Sequence, residues 1–271
     1  MGKYLRKFET TAAYDAAKDG LIKPNVSLCE DSNVVYYAPV PPPFFCKLTL
    51  NNGEVVDLEG SGELTSAMTS SYKSTLVSAE IGTLCTSIGS MAFISFTSLT
   101  SINILDSVTS IGSFAFAGCS SLTSIAIPYS VTNIGESVFR DCKGLTSIVI
   151  PNGVTSIGSY AFSGCYGLTS VIIPDSVTSI GNSAFYRCSG LTNCTIGNSV
   201  TSIDNYAFQD CSGLTSITSL AMTAPTITNT TFNSVKTDGT LTVPSGSSGY
   251  DVWMGTGDYY LGKYNWTKVE Q

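Results

Sequence analysis

The chain has 271 residues, 43% hydrophobic and only 12% charged, with a formal net charge of −7 and no histidine. The acidic balance argues against nucleic acid or an anionic membrane as the main partner, because either needs a basic face. No run of about 18 apolar residues is present, so no membrane-inserting segment is read, and without histidine there is no Ser-His-Asp triad or Cys-His dyad.

Residues 1–45 read as an attachment segment. Residues 1–9 (MGKYLRKFE) hold basic residues with no apolar stretch behind them, so no signal peptide is read. A trimmed chain, another export route and an intracellular location all stay open. Thr10 or Thr11 can cap a short helix over residues 12–18, ended by Gly20, and residues 34–37 are strand-like. The run PVPPPFF (residues 39–45) is stiff and extended. Residues 46–84 read as an N-terminal cap, with a hairpin in CKLTLNNGEVVDL turning at Asn52-Gly53.

From residue 85 a unit of 23 residues returns without insertion or deletion through residue 222. Ile88, Ile111, Ile134, Ile157, Ile180 and Ile203 form one column. Phe93, Phe116, Phe139, Phe162, Phe185 and Phe208 form a second, and Leu99, Leu122, Leu145, Leu168, Leu191 and Leu214 a third. Gly89, Gly112, Gly135, Gly158 and Gly181 follow the isoleucines, with Asp204 breaking the series. Ordering the backbone costs about 1–2 kcal/mol per residue, so one unit cannot fold alone, but stacked units bury each other's open faces. The fold class expected is a repeat solenoid of six units, mainly β with short helical turns.

Within a unit, LTSIVI (residues 145–150) alternates as a half-buried strand, with Ile148 and Ile150 inward. Pro128, Pro151 and Pro174 end that strand, because proline cannot donate to a ladder. VTSIG is a second short extended piece, and SYAFSGC (residues 159–165) is expected to make a helical turn that presents its Phe to the core. Residues 223–271 read as a degenerate seventh unit (Phe232, residues 241–244) and a C-terminal cap. Trp253, Tyr259, Tyr260, Tyr264 and Trp266 make this cap aromatic; they pack on the last coil or form a ligand platform.

Cys119, Cys142, Cys165, Cys188 and Cys211 occupy one column, which Phe96 holds in the first unit. They are read as buried free thiols acting as small hydrophobes, as is Cys194 in an isoleucine/valine column, although neighbouring thiols could approach disulfide range. No CxxC pair and no histidine offer a metal site, and no cofactor is expected. Asp106, Glu136, Asp141, Asp175, Asp204 and Asp210 are scattered. Asp141 and Asp210 share a column three coils apart and read as solvated turn residues. EDSN (residues 30–33) is too short for a calcium loop.

With the fixed columns spent on core, recognition belongs to the variable ones. Asn103, Ala126, Val149, Ile172, Thr195 and Thr218 make one outward strand column, in which Ala126, Val149 and Ile172 form an apolar stripe. Phe114, Tyr160 and Tyr206 share a second column, with Tyr166 and Tyr186 nearby; such rings suit protein or glycan contacts. The bland alternatives are a strand-forming surface and packing over the turns. Arg140 and Arg187 read as isolated positive points.

The phrase SVTSIGSYAFSGCYGLTSVIIPDS and its neighbours resemble the BspA-type leucine-rich repeats of bacterial surface proteins. The resemblance covers residues 85–220 strongly and the flanks more weakly. It implies a right-handed solenoid capped at both ends, a recognition role in adhesion to cells or matrix proteins, and no catalytic residues. The leader over residues 4–37 is similar to short leaders on proteins of gut Bacteroidales and their phages, which fits a host-attached or virion-attached protein. The expected function is a non-enzymatic module binding a surface protein or glycan. The rival is a structural spacer docked in a larger assembly through residues 1–45.

Overall fold

The structure, a computed structural model, describes residues 6–8, 35–37, 43–257 and 260–271. The helix expected over residues 12–18, the EDSN run, most of PVPPPFF and Tyr259 lie outside the described residues. The chain divides into two units, Met1–Pro43 and Phe44–Gln271. In the first, Arg6–Phe8 pairs antiparallel with Val35–Tyr37.

The second unit is a β-solenoid. A front row of strands follows the repeat: Leu76–Ile81, Ser101–Ile104, Ser124–Ala126, Ser147–Val149, Ser170–Ile173, Asn193–Ile196, Ser216–Ser219, Thr240–Val243 and Thr267–Glu270. Its pairings are parallel, and within the repeats they keep the sequence register, with Ser124 opposite Ser147 and Ser170 opposite Asn193. The front strands alternate inward and outward: Ile148 is buried between exposed Ser147 and Val149. A second ladder is built from the VTSIG pieces, for example Ser156–Ile157, Ser179–Ile180 and Ser202–Ile203.

Threonine reinforces both ladders. The backbone N–H and the hydroxyl of Thr178 both donate to the Thr155 carbonyl, at 2.9 and 3.2 Å. Thr169 does the same to Thr146 in the front row. A serine in its place has no branched carbon to fix the rotamer.

The third side of each coil is the SYAFSGC stretch. The N–H groups of Ala161, Ser163 and Cys165 close i→i−3 turns onto Gly158, Tyr160 and Phe162. Those of Tyr160, Phe162 and Gly164 instead donate to Asn182, Ala184 and Tyr186 of the following coil, each at 2.8 Å. Left-handed residues at Tyr160 (φ 57°) and Gly164 (φ 74°) produce the alternation. The expected helical turn is therefore present as separate single turns, because left-handed residues cannot continue a right-handed helix.

Inside, Phe93, Phe116, Phe139, Phe162, Phe185, Phe208 and Phe232 stack in one column with ring centroids 5.2–5.7 Å apart. The cysteine column runs beside it. All eight described cysteines are free and buried, and each column thiol donates to a phenylalanine carbonyl of the preceding coil, as Cys165 does to Phe139 at 3.2 Å.

Both ends are covered. Cys46–Leu50 pairs antiparallel with Val55–Leu58 and with Leu76–Ile81, and Gly53 (φ 84°) makes the hairpin turn. The hydroxyl of buried Thr69 donates to the Ala92 carbonyl. At the other end Trp253 is fully buried against Phe232 at 5.2 Å, and its Nε1–H donates to the Pro225 carbonyl. Trp266 is buried and donates to the Lys236 carbonyl, and the Tyr264 hydroxyl accepts from the Ser234 N–H. These rings pack on the last coil.

Candidate recognition surface

Once the core columns are folded inward, two outward sets remain. The first lies on the front sheet. Val149 and Ile172 are 67% and 68% exposed, so these β-branched side chains contribute little to the core. Val149 sits opposite exposed Ala126, and Ile172 opposite Thr195. The apolar stripe of Ala126, Val149 and Ile172 is thus a real outward column, bounded by Asn103 on one side and threonine on the other.

The second set lies on the turns, a different part of the coil. Phe114, Ser137, Tyr160, Ser183 and Tyr206 all have φ between 55° and 59°. That conformation costs a residue with a Cβ roughly 1–2 kcal/mol, and glycine would avoid it. The column instead holds a ring in every second coil, and the rings of Tyr160 and Tyr206 are partly open to solvent. Replacing Tyr160 by glycine should leave the melting temperature unchanged or slightly higher, since relief of backbone strain offsets a partly exposed ring. A clear loss of stability would show that the ring is structural.

The cations of the array belong to the same turns. Between residues 85 and 222 they are Arg140, Lys143 and Arg187, and Tyr160, Tyr166, Tyr186 and Tyr206 are four of the five tyrosines there. Arg140 lies over the Tyr160 ring at 5.8 Å, Lys143 over Tyr166 at 5.9 Å, and Arg187 over Tyr186 at 4.9 Å. Exposed pairs of this kind are worth about 0.5–1 kcal/mol each, which is enough to orient long side chains.

The arginines are not the isolated points expected from sequence. Nε of Arg140 meets Asp141 at 3.5 Å, and Nε of Arg187 meets Asp210 at 3.5 Å. Asp141 and Asp210 therefore hold guanidinium groups, both from left-handed positions (φ 58° and 59°). Such exposed ion pairs add little stability. Their effect is positional, since each grips a guanidinium by one edge.

The structure thus pairs Tyr160, Tyr166 and Tyr186 with three cations, places Tyr206 at the same turn position as Tyr160, and leaves Ala126, Val149 and Ile172 on the front sheet. Sequence reading missed the pairing, although folding the chain on its repeat offers a signal: Lys143 precedes Tyr166 by one full period. Among the described residues no group of three or more Asp, Glu or Cys is placed to hold a metal ion. No helix among them is long and apolar enough to cross a membrane.

The solenoid resembles solved bacterial proteins. A leucine-rich cell surface protein from Faecalibacterium prausnitzii is 29% identical, with a TM-score of 0.55 over 81% of this chain and 68% of that one. A leucine-rich-repeat protein of T. pallidum is 27% identical, with a TM-score of 0.51 over 55% of this chain and 74% of that one. No curated protein matches the sequence. The profile of the BspA-type leucine-rich repeat region matches residues 68–192 and 132–249, with six copies. The periodic core, the stacked coils and this match agree: the chain belongs to the BspA-type leucine-rich-repeat family.

Proposed function

We propose that the solenoid is a recognition module that binds a surface protein or glycan, chiefly through its turn face. Leucine-rich-repeat solenoids are typically non-catalytic binding scaffolds, and BspA-type repeat proteins are commonly cell-surface proteins. The observation that carries the reading is the gathering of every cation and four of five tyrosines of the array on one face. Tyrosine and arginine are enriched among residues that dominate binding energy. The stripe of Ala126, Val149 and Ile172 is a second contact surface in this reading.

The unit Met1–Pro43 is divided from the solenoid, which supports its use for attachment to a cell surface, a virion or a larger assembly. A purely structural spacer would need that segment alone.

Labelled full-length protein is expected to bind saturably to some members of a panel of gut bacteria and epithelial cells. Tyr160→Ala with Tyr206→Ala should weaken that binding about tenfold or more, as loss of central contacts does. Val149→Asp with Ile172→Asp tests the stripe separately. Binding that survives both double variants, or no binding at all, would overturn the reading and favour the spacer.

A further inference from the structure

The front stripe has the same polarity pattern read from either end. Its column runs Asn103, Ala126, Val149, Ile172 and Thr195: a polar residue, three apolar ones centred on Val149, and a polar residue again. Val149 and Ile172 are 67% and 68% exposed, and Asn103 and Ala126 are exposed as well. The neighbouring outward column is polar and mostly serine: Ser101, Ser124, Ser147, Ser170 and Asn193. None of these positions carries a charge, in a chain whose net charge is −7.

We infer that this face packs against the same face of a second copy of the chain, about a two-fold axis that runs along the strand direction and passes over Val149. The inference rests on the reading of the stripe as a contact surface and names what covers it. A two-fold axis makes every contact reciprocal. This one sets Val149 on the partner's Val149, Ala126 on the partner's Ile172, and Asn103 on the partner's Thr195. Size matches as well as polarity, because the small Ala126 meets the large Ile172 and fills about the depth of two valines. The serine column faces itself and lets the two sheets approach to the roughly 10 Å of packed sheets. A foreign protein would need a matching surface of its own, whereas a second copy brings one.

Other arrangements of the two faces lose the match. An axis over Ile172 lays Val149 on the partner's Thr195, and an axis over Ala126 lays Val149 on the partner's Asn103. An axis along the solenoid puts Ala126, Ile172 and Glu80 each on its own copy, which leaves a gap, a bulge and a like-charge contact. With the axis over Val149, Glu80, which continues the column beyond Asn103, falls opposite the partner's Thr218, which continues it beyond Thr195. At the bend after the strand, Asp175 falls opposite the partner's Tyr129, and Asp106 opposite the partner's Asn198. In these columns no carboxylate meets another.

Seven strands about 4.8 Å apart and about 13 Å long offer about 440 Å² per copy, roughly 900 Å² together. That lies at the low end for protein interfaces, so the dimer is weak and reversible, with a dissociation constant in the micromolar range or above.

The test is sedimentation equilibrium of the full chain from about 5 µM to about 500 µM, which spans that range. The average mass should rise with concentration from one chain toward two. Val149→Asp, which puts two carboxylates on the axis, should weaken association about a hundredfold or more with an unchanged melting curve, since the side chain lies outside the core. Ala126→Lys and Ile172→Asp should each weaken it about tenfold. Combined in one chain they should restore it at least about tenfold over Ile172→Asp alone, because each lysine then faces the partner's aspartate, and added salt should remove the gain. A chain that stays monomeric at the highest concentration, or a dimer indifferent to Val149→Asp, overturns the inference. Two substitutions that fail to rescue each other overturn the axis over Val149. A monomer that loses cell binding through Val149→Asp with Ile172→Asp overturns this inference alone and gives the stripe to another partner. A monomer whose cell binding ignores the stripe overturns the reading of the stripe as a contact surface as well.

Discussion

Replacing Phe162 by alanine is expected to lower the stability of the solenoid by about 3–5 kcal/mol, the usual range for deleting a buried phenylalanine ring. Phe162 is fully buried and stacked on both sides, with Phe139 at 5.4 Å and Phe185 at 5.2 Å. The hole would therefore open between two coils, and coils on either side could collapse into it only by breaking the Thr155 and Thr178 hydrogen bonds that set their spacing. Because each coil of a solenoid is stabilised mainly by its neighbours, the damage should also divide the array. Urea unfolding followed by circular dichroism should become less cooperative, with the two halves melting separately. A single transition shifted by less than about 1 kcal/mol would refute the idea that the phenylalanine column carries the coil-to-coil contact.

The second large effect is sensitivity to alkali. Burial pushes the thiols of Cys119 and Cys188 up from 9.0 to about 12, and raises those of Cys142, Cys165 and Cys211 well above 9.0. Burial, followed by the neighbouring Cys188, raises Cys194 too. Below pH 9 these thiols are protonated whether the chain is folded or not, and the stability they carry is fully present. Above pH 9 the unfolded chain releases protons that the folded chain keeps, so stability falls as pH rises through the gap. Each thiol contributes a slope of about 1.4 kcal/mol per pH unit, so six together give about 8 kcal/mol per unit. Against a typical domain stability of about 5–15 kcal/mol, the fold should collapse within about two units above pH 9. Far-ultraviolet thiolate absorbance and circular dichroism should change together. Thiolate appearing near pH 9 with the dichroism intact would sink the prediction. Exchanging the column cysteines for valine should move the alkaline limit upward.

The core was legible because the chain writes it six times. Ile157, Phe162 and Leu168 could be placed inward from their recurrence alone, and the strand around Ile148 from its alternation. The turn geometry was much less so. Gly118 and Gly164 hint at a left-handed column, but Asp141, Arg187 and Asp210 occupy it without any local sign, since stacking neighbours impose the conformation. The cation–ring pairs were hidden for another reason. Arg140 and Tyr160 are 20 residues apart, and such partners meet only after the repeat is wound. The exposure of Val149 and Ile172 was readable from alternation.

The hydrogen bonds between coils run in two directions: Thr178 reaches back to Thr155, and Phe162 reaches forward to Ala184. Every coil therefore offers the same donors and acceptors at its leading and trailing surfaces as any other. Removing one whole unit, or copying one, would leave no amide or carbonyl orphaned at the new junction. Genetic recombination between near-identical units can then change the length of this protein in steps of one coil. Each step would lengthen or shorten the row of rings and cations without requiring a new cap, so that reach across a partner's surface can evolve independently of the ability to fold.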